Sequence, residues 1–311
     1  MPRPLSCVTS PRLLAPAGSL GALHAALQAG ADAVYVGLKG WSRGGAKGEL
    51  YSHELRDALV ATHGQGRQLH VALNTIPGER ERRHLVSRAE ELIGIGVDGV
   101  IVNDAGLMAE LRAVYPELHL TASIGCAAMN EADVAFYRDV GASAVVLPGT
   151  LSPDDLRAAT RVPDVEIEVM VHMVEEFIML GKCWMPSYYR LNPIPLADLQ
   201  GEGSRLIGSM KRGGAGVCFK VCEQPWDLYL NGKKVAQQVL PSRRISLINH
   251  LSATLDAGVD VIKLQGRSLS SDLLAPLVRR YRAAMDAWMD GRTHPASEDL
   301  AMEPSWTVSH R

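Results

Sequence analysis

One signature recurs four times along this chain: a glycine, a small residue, an aspartate or serine, then an apolar run. The copies are Gly30-Ala-Asp-Ala-Val-Tyr-Val, Gly96-Val-Asp-Gly-Val-Ile-Val, Gly141-Ala-Ser-Ala-Val-Val-Leu and Gly258-Val-Asp-Val-Ile-Lys-Leu. Each reads as a helix closed by a left-handed glycine, a two-residue turn, and entry into a buried strand. Helical patterns precede each glycine, at 20–27, 84–93, 131–137 and 247–255, and further apolar strand candidates lie at 13–15, 69–73, 118–122 and 167–171. Strands and helices alternating at this spacing predict a parallel sheet. Eight strand candidates predict a closed (β/α)8 TIM-type barrel. No Gly-x-Gly-x-x-Gly follows the first strand, which argues against a dinucleotide-binding sheet.

The rhythm breaks between the seventh and eighth strands. Residues 173–245 are rich in glycine and aromatic residues, too long for a structureless loop inside a compact domain. The segment reads as a cap inserted over the barrel mouth, containing a hairpin turned by Asn231-Gly232. The expected organisation is thus a single barrel domain over 1–311, with 173–245 as the cap, a closing helix at 272–289 and a polar tail at 292–311.

The cap concentrates the thiols. Of five cysteines in 311 residues, Cys183, Cys218 and Cys222 fall within it. Clustered thiolates on a loop suit a zinc ion or an iron–sulfur cluster. Fourth-ligand candidates are Cys126, His172 and Glu176, and His172 with the three thiols would make a respectable zinc site. A second polar group sits at strand ends, where barrel enzymes keep their chemistry. It comprises Asn74, Asn103, Asp104, Ser123, Glu168, His172, Lys263, Gln265 and Arg267. Asp104 reads as a helix cap, and Lys263, a cation in an apolar strand, needs a partner such as Glu168. Lys263 and Arg267 together suit an anionic substrate. A glycine-rich basic loop at 41–48 reads equally as an anion clamp or a plain surface loop. No serine–histidine–acid order is legible.

Net charge is −2 and the pI about 6.6, which argues against a large RNA partner and makes nucleic acid an unlikely one. No apolar run is long enough to span a membrane, and no signal peptide is legible, so the chain reads as cytoplasmic.

With these residues in hand, the chain resembles the peptidase U32 (collagenase-like) family, particularly its UbiU/UbiV-like ubiquinone-biosynthesis branch. The likeness rests on Leu14-Ala-Pro-Ala-Gly-Ser, Gly30-Ala-Asp-Ala-Val-Tyr-Val-Gly, Leu73-Asn-Thr, Val146-Leu-Pro and Ile262-Lys-Leu-Gln-Gly-Arg. The stretch from Glu168 through His172 to Glu176, followed by Gly181-Lys-Cys183, matches the family's core signature in part. The resemblance implies a barrel holding a [4Fe–4S] cluster and acting in oxygen-independent hydroxylation of a ubiquinone-type precursor or an RNA base, beside a related U32 subunit. Cys183, Cys218 and Cys222 would then be ligands, while His172, Glu168, Lys263 and Arg267 shape a pocket for a small anionic or aromatic substrate. The chain departs from the family where Glu176 stands in the place of the signature's first cysteine and Gln265 in that of a glutamate. The fourth ligand is therefore Cys126, Glu176 or none. A structural zinc site in the cap, and a non-catalytic partner subunit, are the competing readings.

Overall fold

The computed structural model describes residues 10–42, 48–75, 77–174, 225–239 and 244–293. Seven parallel strands come first: β1 (Arg12–Ala17), β2 (Ala33–Gly37), β3 (Gln68–Leu73), β4 (Gly99–Val102), β5 (His119–Ala122), β6 (Ala144–Pro148) and β7 (Glu166–Val174). Then follow a hairpin of β8 (Pro225–Leu230) and β9 (Lys233–Val239), the short β10 (Arg244–Ser246), and β11 (Val261–Leu264). Strands β1 to β7 pair in chain order, β7 pairs β11 and β11 pairs β1, so eight parallel strands close a ring. Closure leaves none of the eight as an unpaired edge. The expected (β/α)8 barrel is the observed fold.

The helices between the strands are α1 (Leu20–Gln28), α2 (Leu55–His63), α3 (Glu79–Ile95), α4 (Ala105–Val114), α5 (Glu131–Val140), α6 (Pro153–Ala159), α7 (Leu251–Asp256) and α8 (Ser271–Met289). Their starts are written locally. Ser19, Asn130 and Ser152 accept hydrogen bonds from first-turn amides, and Asp104 accepts from the Leu107 amide at 2.7 Å, making it the helix cap its sequence position suggests. The four repeat glycines stand at φ of 97°, 91°, 121° and 85°, a region closed to most side chains. That is why the repeat demands glycine there.

Strand residues alternate between two cores. Leu13, Val34, Val71, Val100, Leu120, Val145, Val169 and Ile262 face outward and merge with helix residues such as Leu23, Leu59 and Leu107 into one large cluster. The inward set is a small separate cluster of Leu14, Ala33, Tyr35, Ala72, Ile101 and Val261. Interleaved with it are buried polar residues: His70, Thr121, Glu168 and Lys263. A barrel interior is ordinarily filled by branched apolar side chains. This one is not.

The inserted segment has slightly different edges from those expected. Strand β7 continues to Val174, and β10 returns antiparallel beside it, Arg244 against Val174 and Ser246 against His172. The inserted segment therefore departs from and returns to the carboxyl end of β7. The hairpin is as expected, with Asn231 and Gly232 both at positive φ between β8 and β9. The expected tail lies outside the described residues beyond 293. Helix α8 packs chiefly against α1 and reaches β7 and β10 through one side chain. Its Tyr281, fully buried, donates to the Val171 carbonyl at 3.1 Å and meets Ser246 Oγ at 3.0 Å.

Candidate functional site

Strand alternation sorts the inward polar groups into tiers along the barrel axis. At the amino end Arg12, His119 and Glu166 begin their strands. Arg12 Nη2 lies 2.6 Å from Glu166 Oε2, and His119 Nε2 lies 3.4 Å from the same oxygen. Burial alone would raise the Glu166 carboxyl, but His119 and Arg12 outweigh it and hold the group at about 2. Beside them His70 meets His119 edge-on, with centroids 5.4 Å apart. Burial pushes the His70 imidazole down to about 4, partly offset by Glu168. The Nδ1 atoms of both histidines are buried without hydrogen-bond partners among the described residues, and they converge on Gly99, whose absent Cβ would stand 2.6 and 3.2 Å from them. A cavity of about 10 Å³ between these side chains is large enough for a single water.

The middle tier is an ion pair. Lys263 Nζ lies 2.6 Å from Glu168 Oε2, with side chains only 3% and 2% exposed. Thr121 Oγ1 approaches the other carboxylate oxygen at 3.4 Å. Burial alone would raise the Glu168 carboxyl, yet the charge and hydrogen bond of Lys263 prevail and keep it ionised, below the usual carboxylate range. The ammonium also stands 4.9 Å from the centre of the Tyr35 ring. Tyr35 donates to the Leu264 carbonyl at 2.8 Å, and its burial pushes the phenol up to about 12, so it stays protonated. Lys263 thus has the Glu168 partner its sequence context requires. The pair sits inside the barrel, with the Lys263 charge balanced by Glu168.

At the carboxyl end Arg267 follows β11. Its guanidinium donates to Ser42 Oγ at 2.8 Å, and Ser42 donates to Glu49 Oε1 at 2.6 Å. Gly37 makes room for this bracket, since a Cβ there would stand 2.2 Å from Arg267 Nη1 and 2.3 Å from Ser42 Oγ. His172 packs edge-on to Tyr281, centroids 6.0 Å apart, with its strand neighbour Ser246 bonded to the same tyrosine. Asn103 and Ser123 are buried at the ends of β4 and β5, and Asn74 follows β3.

Cys183, Cys218, Cys222 and Glu176 lie outside the described residues, as do 43–47 of the basic loop. Among the described residues, no three His, Cys, Asp or Glu side chains gather in a way that would hold a metal ion. Cys126 is buried in the outer core, with Sγ at 3.6 Å from the carbonyls of Val102 and Asn103, and forms no disulfide. Sequence reasoning missed His70, His119, Glu166 and Arg12. The signal was available: in Gln68-Leu-His70-Val-Ala72-Leu and Glu166-Ile-Glu168-Val-Met170 every polar residue falls in one phase of the period of two.

A closed parallel barrel with polar groups at the carboxyl ends of its strands is the scaffold of a large class of enzymes, which differ in their loops. This chain belongs to peptidase family U32, whose model matches residues 18–311. It is 26% identical over 342 residues to tRNA hydroxylation protein P of Haemophilus influenzae, covering 97% of this chain and 72% of the relative. It is 28% identical over 302 residues to a 23S rRNA 5-hydroxycytidine synthase of Escherichia coli, covering 96% of this chain but only 42% of the relative. A solved U32 peptidase shares the fold, with a TM-score of 0.50 at 16% identity, over 86% of this chain and 97% of that one. The expectation drawn from net charge, that nucleic acid is an unlikely partner, finds no support, because these relatives are named for work on RNA. A global charge near zero says little about a local basic site such as Arg267. Among the described residues, no helix is long and apolar enough to cross a membrane.

Proposed function

We propose that this chain acts in the oxygen-independent hydroxylation of a base in RNA. The observation that carries the reading is the match, along nearly the whole chain, to relatives named for hydroxylation of tRNA and rRNA. That match favours an RNA base over a ubiquinone-type precursor. The polar carboxyl end of the barrel supplies what such a substrate needs. Arg267, half-buried and braced by Ser42, offers a fixed guanidinium for a phosphate oxygen. Beneath it Lys263 pairs with Glu168, whose carboxyl is held below the usual range, and Tyr35 stays protonated beside both Lys263 and Arg267.

We assign the cluster-binding role to Cys183, Cys218 and Cys222, with Glu176 as the fourth ligand or the fourth position left open. Three thiolates with one carboxylate suit iron far better than magnesium or calcium. The segment that carries them is anchored where Val174 and Arg244 pair, at the carboxyl end of β7. A cluster bound there would supply one-electron chemistry. The test is nucleoside mass spectrometry of RNA from cells with and without this gene. One hydroxylated nucleoside should vanish with the gene and return with a plasmid copy. An unchanged nucleoside profile would overturn the reading.

A further inference from the structure

Asn103 stands one residue beyond β4 with its amide in an unusual position. Only 9% of the residue is exposed, and both amide atoms, Oδ1 and Nδ2, are fully buried without a hydrogen-bond partner among the described residues. On the adjacent strand end, after β3, Thr75 is 2% exposed and its Oγ1 is likewise buried and unpaired. Three polar atoms at two neighbouring strand ends are thus removed from water with no hydrogen-bond partner among the described residues. Native proteins rarely tolerate this without a reason, because each such group loses its hydration and gains nothing.

The neighbouring loop is shaped to keep the amide where it is. A Cβ on Gly125, in the turn after β5, would stand 1.9 Å from Asn103 Oδ1 and 2.3 Å from Nδ2, so any side chain at 125 would evict the amide. The Asn103 backbone is held as well. Its carbonyl accepts from Cys126 Sγ at 3.6 Å, and the Ser123 amide donates to the preceding carbonyl, that of Val102, at 2.8 Å. The strand end is fixed while the side-chain amide is left unspent. Local conflict of this kind, in an otherwise consistent sequence, marks a functional position.

We infer that Asn103, seconded by Thr75, is the specificity-determining contact for a flat heteroaromatic ring that presents a donor and an acceptor side by side. An asparagine amide offers one N–H face and one carbonyl, and in either orientation it complements the paired groups on a nucleobase edge. A base swung out of its stack into the barrel mouth would exchange its Watson–Crick partner for this amide once the groups that close it from water move aside. The inference rests on the RNA reading above and adds to it the residue that reads the base.

The replacement Asn103→Leu tests it, because leucine is nearly the same size and carries no polar atom. A residue that merely supports the fold loses stability on such a change. An orphaned amide kept for a ligand does the opposite. The expected result is a melting temperature equal to or above that of the wild type, with the gene-dependent hydroxylated nucleoside reduced about tenfold or more in complemented cells. The inference is overturned if Asn103→Leu restores the nucleoside as well as the wild type does. It is also overturned if the melting temperature falls by several degrees, since the amide would then be satisfied within the protein. Ligand-observed NMR of the purified protein with cytidine and uridine separates this from failure of the RNA reading. If the wild-type gene restores no nucleoside, the hydroxylation reading falls, yet saturation transfer to these nucleosides that is lost in Asn103→Leu upholds the subsite. Equal transfer to both proteins overturns it.

Discussion

Lys263 Nζ lies 2.6 Å from Glu168 Oε2 in the interior of the barrel, each side chain almost wholly removed from water. Two charges at that depth lose their hydration and recover it chiefly from one another. Breaking such a pair from one side leaves the other charge stranded. Glu168→Gln is therefore expected to destabilise the fold by about 3–5 kcal/mol in urea denaturation. The double change Glu168→Leu with Lys263→Met should cost less than Glu168→Gln alone. A single-site effect below about 1 kcal/mol would show that the pair is not isolated from solvent.

The amino-end tier predicts a pH dependence with a definite sign. The His70 imidazole is depressed in the fold to about 4 from an ordinary 6.5. The unfolded chain therefore binds the extra proton first as pH falls. The stability due to neutral His70 is complete above about 6.5 and drains away toward pH 4, at no more than about 1.4 kcal/mol per pH unit. Glu168, His119, Lys263 and Asp98 all act on this ring, so the comparison must be made with His70→Gln, which removes only the ring. Its stability should vary less between pH 6.5 and 4.5 than that of the wild type. Identical slopes would contradict the assignment. Glu166, depressed to about 2, adds a separate loss below roughly pH 4.5.

Gly37→Ala is expected to separate stability from binding. Its Cβ would collide with the tip of Arg267 and with Ser42 Oγ, both ends of side chains that can move. The fold should lose less than about 1.5 kcal/mol. The displaced guanidinium should weaken RNA binding as Arg267→Ala does, with each lowering the salt dependence by about one counterion. Filter binding across a salt series reads this directly. An unchanged slope in Arg267→Ala would remove the arginine from the RNA contact.

The cysteines divide cleanly. After anaerobic purification, iron and sulfide should be lost from Cys183→Ser, Cys218→Ser and Cys222→Ser but kept in Cys126→Ala. Cys126 is packed in the outer core against two strand-end carbonyls. Glu176→Cys should raise iron retention. Stoichiometric zinc without sulfide in the wild type would instead favour a structural staple.

Much of the barrel was legible because its helix ends carry a local code. A glycine at positive φ followed by a buried strand is a backbone requirement that leaves a mark on sequence whatever the chemistry. Asp104 and the Asn231-Gly232 turn were readable for the same reason. Lys263 announced its own partner, because a buried ammonium demands an anion. The tier of His70, His119 and Glu166 was harder to see. Each shares its strand with only one or two other polar residues, and only barrel closure brings the three together from β3, β5 and β7. Asn103 was visible as a strand-end residue, but an unsatisfied amide is a property of packing around Gly125, which spacing does not encode.

The central claim is that a base in RNA gains a hydroxyl without molecular oxygen as its source. Cells carrying this gene, grown under ¹⁸O-labelled oxygen gas, test it most directly by mass spectrometry of the nucleoside that disappears when the gene is deleted. That nucleoside should form at full level and contain no ¹⁸O from the gas. Incorporation of the label, or a hydroxylated nucleoside pool that does not change with the gene, would contradict the account.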